Sequence, residues 1–175
     1  MHTFKIVATI VLAILLQALL SNLDFFRGYA DLPLIVTVYY GLQRSPMLAM
    51  FCGLALGLGG DSISGGVLGV GGFAKTLIGY MVASVSVRFS LENPLARLAT
   101  VAIASAANTL LFVALYQMLD QPLSHADSWQ ELGRTTGWKV VADTVAAVPI
   151  FIVLDRVFSE QTAARRMAIK KRFYE

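Results

Sequence analysis

Six apolar runs, separated by short polar breaks, set the terms on which this chain can fold: residues 4–20, 33–43, 46–60, 73–89, 96–119 and 138–158. A helix rises about 1.5 Å per residue, so roughly 20 apolar residues cross a hydrocarbon core of about 30 Å. The longer runs have that reach. Composition then decides between a membrane and water as the solvent. Of the 175 residues, 57% are hydrophobic and 14% charged, whereas soluble domains sit near 45–50% and about 25%. A compact fold of this size leaves roughly 30% of its chain surface in water and cannot hide so much apolar area. A water-soluble domain and a disordered chain are both excluded. The basic residues are few and mostly terminal, which excludes a nucleic-acid-binding module. One polytopic domain over residues 1–158 remains, followed by a basic tail over residues 159–175.

The first run reads as a retained span, because SNLDFFRGYAD after it has no small-x-small cleavage pattern. Pro33 and Pro46 each suit the first turn of a helix, where the missing N–H costs nothing. Runs two and three therefore form either a hairpin of two short helices or one kinked span. The stretch GLGGDSISGGVLGVGG, residues 57–72, is so dense in glycine that it reads as a loop or re-entrant element packed against other helices. The expected fold is all-α: a six-span helical bundle, or five spans if runs two and three fuse.

With six spans and the N-terminus inside, Lys5, Arg44, Arg88, Arg97, Arg156, Arg165, Arg166, Lys170, Lys171 and Arg172 fall on the cytoplasmic side, which is ten of the 14 Lys and Arg. This bias places both termini in the cytoplasm.

Catalytic signatures are missing. The sequence has no Ser-His-Asp arrangement, H-E-x-x-H, P-loop lysine motif or dinucleotide-binding fingerprint. Cys52 is the single cysteine, and only His2 and His125 could add imidazole. No thiolate or histidine metal centre follows, and no cofactor is expected.

Three ionisable residues fall near the outer ends of their spans: Asp61, Lys75 and Asp143. Such groups are costly in a span unless paired or facing a cavity. They read as an outer polar cluster, or as a backbone cap at Asp61 with Lys75 and Asp143 paired to each other. A pairing of Lys139 with Asp143 along one helix is the other option. Small and hydrogen-bonding residues in the fifth run, Ala102, Ser105, Ala106, Asn108 and Thr109, mark a helix-packing face, inside the chain or toward a partner. Gly53 and Gly57 form a G-x-x-x-G pair with the same two readings. Gly65, Gly66 and Gly69 form the glycine connector. The tail is a positive-inside anchor on anionic lipid or a docking site.

Over residues 51–80, FCGLALGLGGDSISGGVLGVGGFAKTLIGY, the sequence resembles the MreD family of rod shape-determining proteins. Gly53, Gly57, Asp61, Gly65, Gly66, Leu68, Gly69, Gly79 and Tyr80 carry the resemblance. Asp31, Leu32 and Pro33, then a Tyr pair and Arg44, fit it too, as do overall size, span count and tail. The resemblance implies an inner-membrane, non-enzymatic subunit of the elongation machinery that supports peptidoglycan synthesis. The implied partners are MreC, the actin-like MreB, RodA and a class B penicillin-binding protein. It also implies a fold similar to the substrate-binding subunits of energy-coupling-factor transporters. That likeness opens a second reading, a vitamin-type ligand held by the outer polar residues. Against it, the outer loops lack an aromatic cluster with several polar partners. A lipid-binding or lipid-flipping role is a third reading.

Overall fold

The computed structural model describes residues 2–21, 30–89, 91, 93–120 and 129–158, the side chains of residues 2–3 and 129–132 excepted. The basic tail and residues 22–29 and 121–128 lie outside the described residues. Among the described residues six helices form: α1 (His2–Ser21), α2 (Leu32–Leu42), α3 (Pro46–Ser64), α4 (Val70–Arg88), α5 (Pro94–Met118) and α6 (Trp129–Val157). No strand occurs among the described residues.

Helix starts follow the prolines. Asp31 caps α2 by accepting from Leu34 N (3.0 Å), with Pro33 in the first turn. Asn93 caps α5 ahead of Pro94 and accepts from Leu95 N (3.0 Å). Pro46 opens α3 after a turn in which Arg44 takes φ +60°. That turn reverses the chain, so runs two and three are a hairpin and the single kinked span is excluded.

Four helices are long and apolar enough to cross a membrane: α1 over Phe4–Ser21, α3, α4 and α5. The expectation of six spans is met in part: six helices form among the described residues, and four of them have that length and apolarity. α2 has 11 residues and is about 16 Å long, half a hydrocarbon core. α6 has the length, 29 residues; Arg134, Lys139, Asp143, Asp155 and Arg156 lie along it, and residues 144–154 between them carry no charge.

α2 is the hub. Residues 32–41 are all buried, Leu34, Ile35, Val38 and Tyr40 completely. It touches every other helix, while α1, α3, α4, α5 and α6 run around it, each against the next in that order. Between α6 and α1 the ring is bridged at one end by Lys5 Nζ donating to the Val157 carbonyl (3.4 Å). The outward faces carry Phe4, Leu12, Leu19, Phe51, Ile103, Leu110 and Ile152, the apolar surface a bilayer would cover.

The glycine-rich stretch is not a loop, which corrects the expectation. α3 continues through Gly57, Gly59 and Gly60 to Ser64, and only residues 65–69 form the turn to α4. The reason is tertiary. A Cβ on Gly53 would sit 2.5 Å from the Lys75 carbonyl oxygen, and one on Gly79 would sit 2.6 Å from the Ala49 carbonyl oxygen. The bare glycine faces let α3 and α4 touch backbone to backbone, and that contact outweighs the weak helix propensity of glycine. Gly65 (φ +66°) ends α3 and Gly69 (φ +100°) opens α4 in the left-handed region, which side chains with a Cβ resist.

The helices alternate in direction, so Lys5, Arg44, Arg88, Arg97 and Arg156 gather at one end. There Arg97 grips Asp155 through two hydrogen bonds (2.7 and 3.1 Å). Its guanidinium carbon lies 5.9 Å from the Tyr39 ring centroid and 5.1 Å from that of Phe151. This clamp ties α5, α6 and α2 together at the basic end.

Candidate functional site

The opposite end holds the polar groups. Asp31, the cap of α2, faces the second turn of α4. Its Oδ2 lies 2.9 Å from Lys75 Nζ, both side chains largely buried. Lys75 therefore pairs with Asp31, not with Asp143 as one expectation held. Asp143, on α6, accepts from Asp31 N (2.7 Å) and from the Ser105 hydroxyl on α5. One short stretch of backbone and its carboxylate thus join α2, α4, α5 and α6. α1 joins them through Gln17, whose Nε2 donates to the Ala30 carbonyl (3.3 Å) and whose Oε1 accepts from Leu32 N (3.1 Å).

Asp61 is used differently. Its Oδ2 accepts from three backbone amides, Gly69 N (2.8 Å), Gly71 N (3.0 Å) and Gly72 N (3.3 Å). These belong to the turn and the first residues of α4, whose orphan N–H groups and dipole favour an anion. The carboxylate from the end of α3 is that anion, and the capping role is the one the structure assigns. Asp61→Asn keeps an acceptor oxygen and costs about 1 kcal/mol, whereas Asp61→Leu strands buried amides at about 1–3 kcal/mol for each group left unmet. Thermal unfolding in detergent should rank wild type above Asn and Asn well above Leu. Equal midpoints for Asn and Leu would refute the capping role.

A cavity of about 680 Å³ opens between the helix ends at this level. Gln17, Asp31, Asp61, Lys75, Asn108 and Lys139 line it. Two of the three expected cluster residues, Asp61 and Lys75, are thus in one wall, with Asp143 behind it through Asp31. Sequence reasoning missed Asp31 as the link. Its visible signal was the Asp-Leu-Pro helix start, which announces a cap and says nothing of a lysine on α4. On the apolar side, Phe112 stacks on Tyr116 (5.2 Å, 21°), and the Tyr116 hydroxyl accepts from Val67 N (3.2 Å).

The small-residue face of α5 divides. Ser105 and Asn108 are buried in the bundle, Ser105 on Asp143, while Ala102, Ala106 and Thr109 are half-buried. Gly53 and Gly57 belong to the α3–α4 contact inside the chain. In the connector, a Cβ on Gly66 would meet the Tyr116 hydroxyl at 2.7 Å, and Gly65 and Gly69 face open space, so their need for glycine is conformational. No cluster of His, Cys, Asp and Glu that could hold a metal occurs among the described residues.

A comparison with protein-family models matches residues 1–158 to the rod shape-determining protein MreD. No curated protein and no solved structure matches the chain. The matched stretch takes in all six helices, the capped glycine turn and the polar end described above, so the chain belongs to the MreD family, whose role is rod-shape determination, and is an integral membrane protein.

Proposed function

We propose that the protein is a non-catalytic scaffold subunit of the bacterial elongation complex in the inner membrane. It holds the membrane helix of an MreC-like partner and thereby supports peptidoglycan synthesis and cell shape. MreB, RodA and a class B penicillin-binding protein join the same complex. The observation that carries this reading is the family match over residues 1–158. The gathering of Lys5, Arg44, Arg88, Arg97 and Arg156 at one end supports placing that end, and both termini, in the cytoplasm.

The partner surface in this reading is the half-buried row Ala102, Ala106 and Thr109 on α5, flanked by the exposed Ile103 and Leu110. Small residues let a second helix approach closely, and apolar neighbours complete the contact in lipid. The basic tail contributes lipid attraction, worth about 1 kcal/mol per Lys or Arg. Ala106→Phe should reduce co-purification of the MreC-like protein in mild detergent by about tenfold, with the variant still inserted. Changing Lys170, Lys171 and Arg172 to Ala should leave co-purification intact. The reverse pattern would move the interaction to the tail and overturn the bilayer interface.

A further inference from the structure

The cavity at the polar end has chemistry that the scaffold role leaves unused. Its ionised wall groups, Asp31, Asp61, Lys75 and Lys139, sum to zero charge. Two of the four groups satisfy each other, Asp31 with Lys75, and Asp61 is held by three amides. Lys139, half-buried, makes no close ion pair among the described residues, and the carboxylates its charge acts on are Asp31 and Asp143. Asn108 is 1% exposed, and its Oδ1 has no hydrogen-bond partner. A buried acceptor left unmet costs about 1–3 kcal/mol, and rotation about the soft terminal torsion of an Asn presents it to the cavity. The wall thus has one cation outside any close ion pair and one unmet acceptor.

We propose that this cavity binds a zwitterionic group bearing a primary ammonium and a phosphate, of the phosphoethanolamine type. The phosphate meets Lys139, and the ammonium donates to Asn108 Oδ1, with Asp61 in the same lining. The stacked Phe112 and Tyr116 cover the methylenes. The volume lies in the range of small-molecule sites, about 300–1,000 Å³. Such a group comes from a bilayer headgroup or from a free solute.

The full chain in detergent, titrated with four probes and followed by native mass spectrometry, tests this. The probes are dihexanoyl-phosphatidylethanolamine, its phosphocholine and phosphoglycerol analogues, and free O-phosphoethanolamine. The ethanolamine lipid should bind about tenfold tighter than the choline lipid, whose quaternary nitrogen has no N–H to donate. It should also outcompete the anionic lipid. Asn108→Leu should remove that preference while the unfolding temperature holds or rises, since an apolar side chain has no unmet acceptor. Lys139→Gln should weaken the ethanolamine lipid and free phosphoethanolamine alike. Free phosphoethanolamine binding as tightly as the lipid identifies a solute as the source; much weaker binding identifies the bilayer. No binding by either, equal binding of all three lipids, or wild-type binding by both variants would overturn the proposal.

Discussion

Gly57→Val should abolish recovery of folded protein. A Cβ at Gly57 would lie 2.5 Å from Gly72 Cα and 2.6 Å from the Gly71 carbonyl carbon. These are backbone atoms at the start of α4, fixed in place by the amides that Asp61 binds. A flexible side chain could rotate away; a helix backbone cannot, and overpacking against it costs about 3 kcal/mol or more. Even Ala, which adds only the Cβ, should be damaging here. Gly60 is the control on the same helix. The nearest neighbour of a methyl added there would be Pro33 Cγ at 3.9 Å, and Gly→Ala in a helix gains about 1 kcal/mol of propensity. Size-exclusion profiles and unfolding midpoints in detergent should therefore show Gly60→Ala at or above wild type and Gly57→Ala far below it. Similar behaviour of the two would contradict the backbone contact between α3 and α4.

The second large effect is at the Asp31–Lys75 pair. Lys75→Met leaves the Asp31 carboxylate without its cation, and stranding one member of a buried pair costs about 3–5 kcal/mol. Asp31→Asn should cost less, because Asn still caps α2 at Leu34 N, although Lys75 is then unpaired. With both changes, no uncompensated charge remains in the pair, and the double variant should recover a large part of the loss. A coupling energy near zero in this cycle, read from unfolding midpoints of all four proteins, would mean that the 2.9 Å contact carries no weight.

How much of this was legible in the sequence depended on how local each determinant is. Pro33 and Pro46 announce helix starts through a fixed φ and a missing N–H, and α2 and α3 begin where they indicate. The six apolar runs became six helices because helix formation in apolar surroundings, lipid or the bundle interior, needs only a sequence of apolar residues. The helical state of residues 57–64 was hidden, because glycine propensity is set in water and the deciding partner is the α4 backbone. The depth of α2 was hidden too, since nothing in an 11-residue apolar run says whether it will touch lipid or the surrounding helices. At the polar end, Asp61 and Lys75 stood out as charges in apolar surroundings, yet the Asp31 link between Lys75 and Asp143 depends on packing. Arg97–Asp155, the clamp at the other end, has no sequence signature for the same reason.

The enclosure of α2 also governs the order in which the molecule can be made. A segment about 16 Å long cannot by itself satisfy a bilayer roughly 30 Å thick, and its walls come almost entirely from helices that leave the ribosome after it. α1 alone precedes it; α3, α4, α5 and α6 follow. Its final seating is therefore a late event in biogenesis. It waits for α3 and α4 to be threaded and for Lys75 to arrive opposite Asp31, and the Arg97–Asp155 clamp locks only after α6 has left the translocon. Chains truncated before α6 lack both the clamp and Asp143, and leave the centre of the bundle open on one side, the form in which membrane quality control meets an unfinished copy.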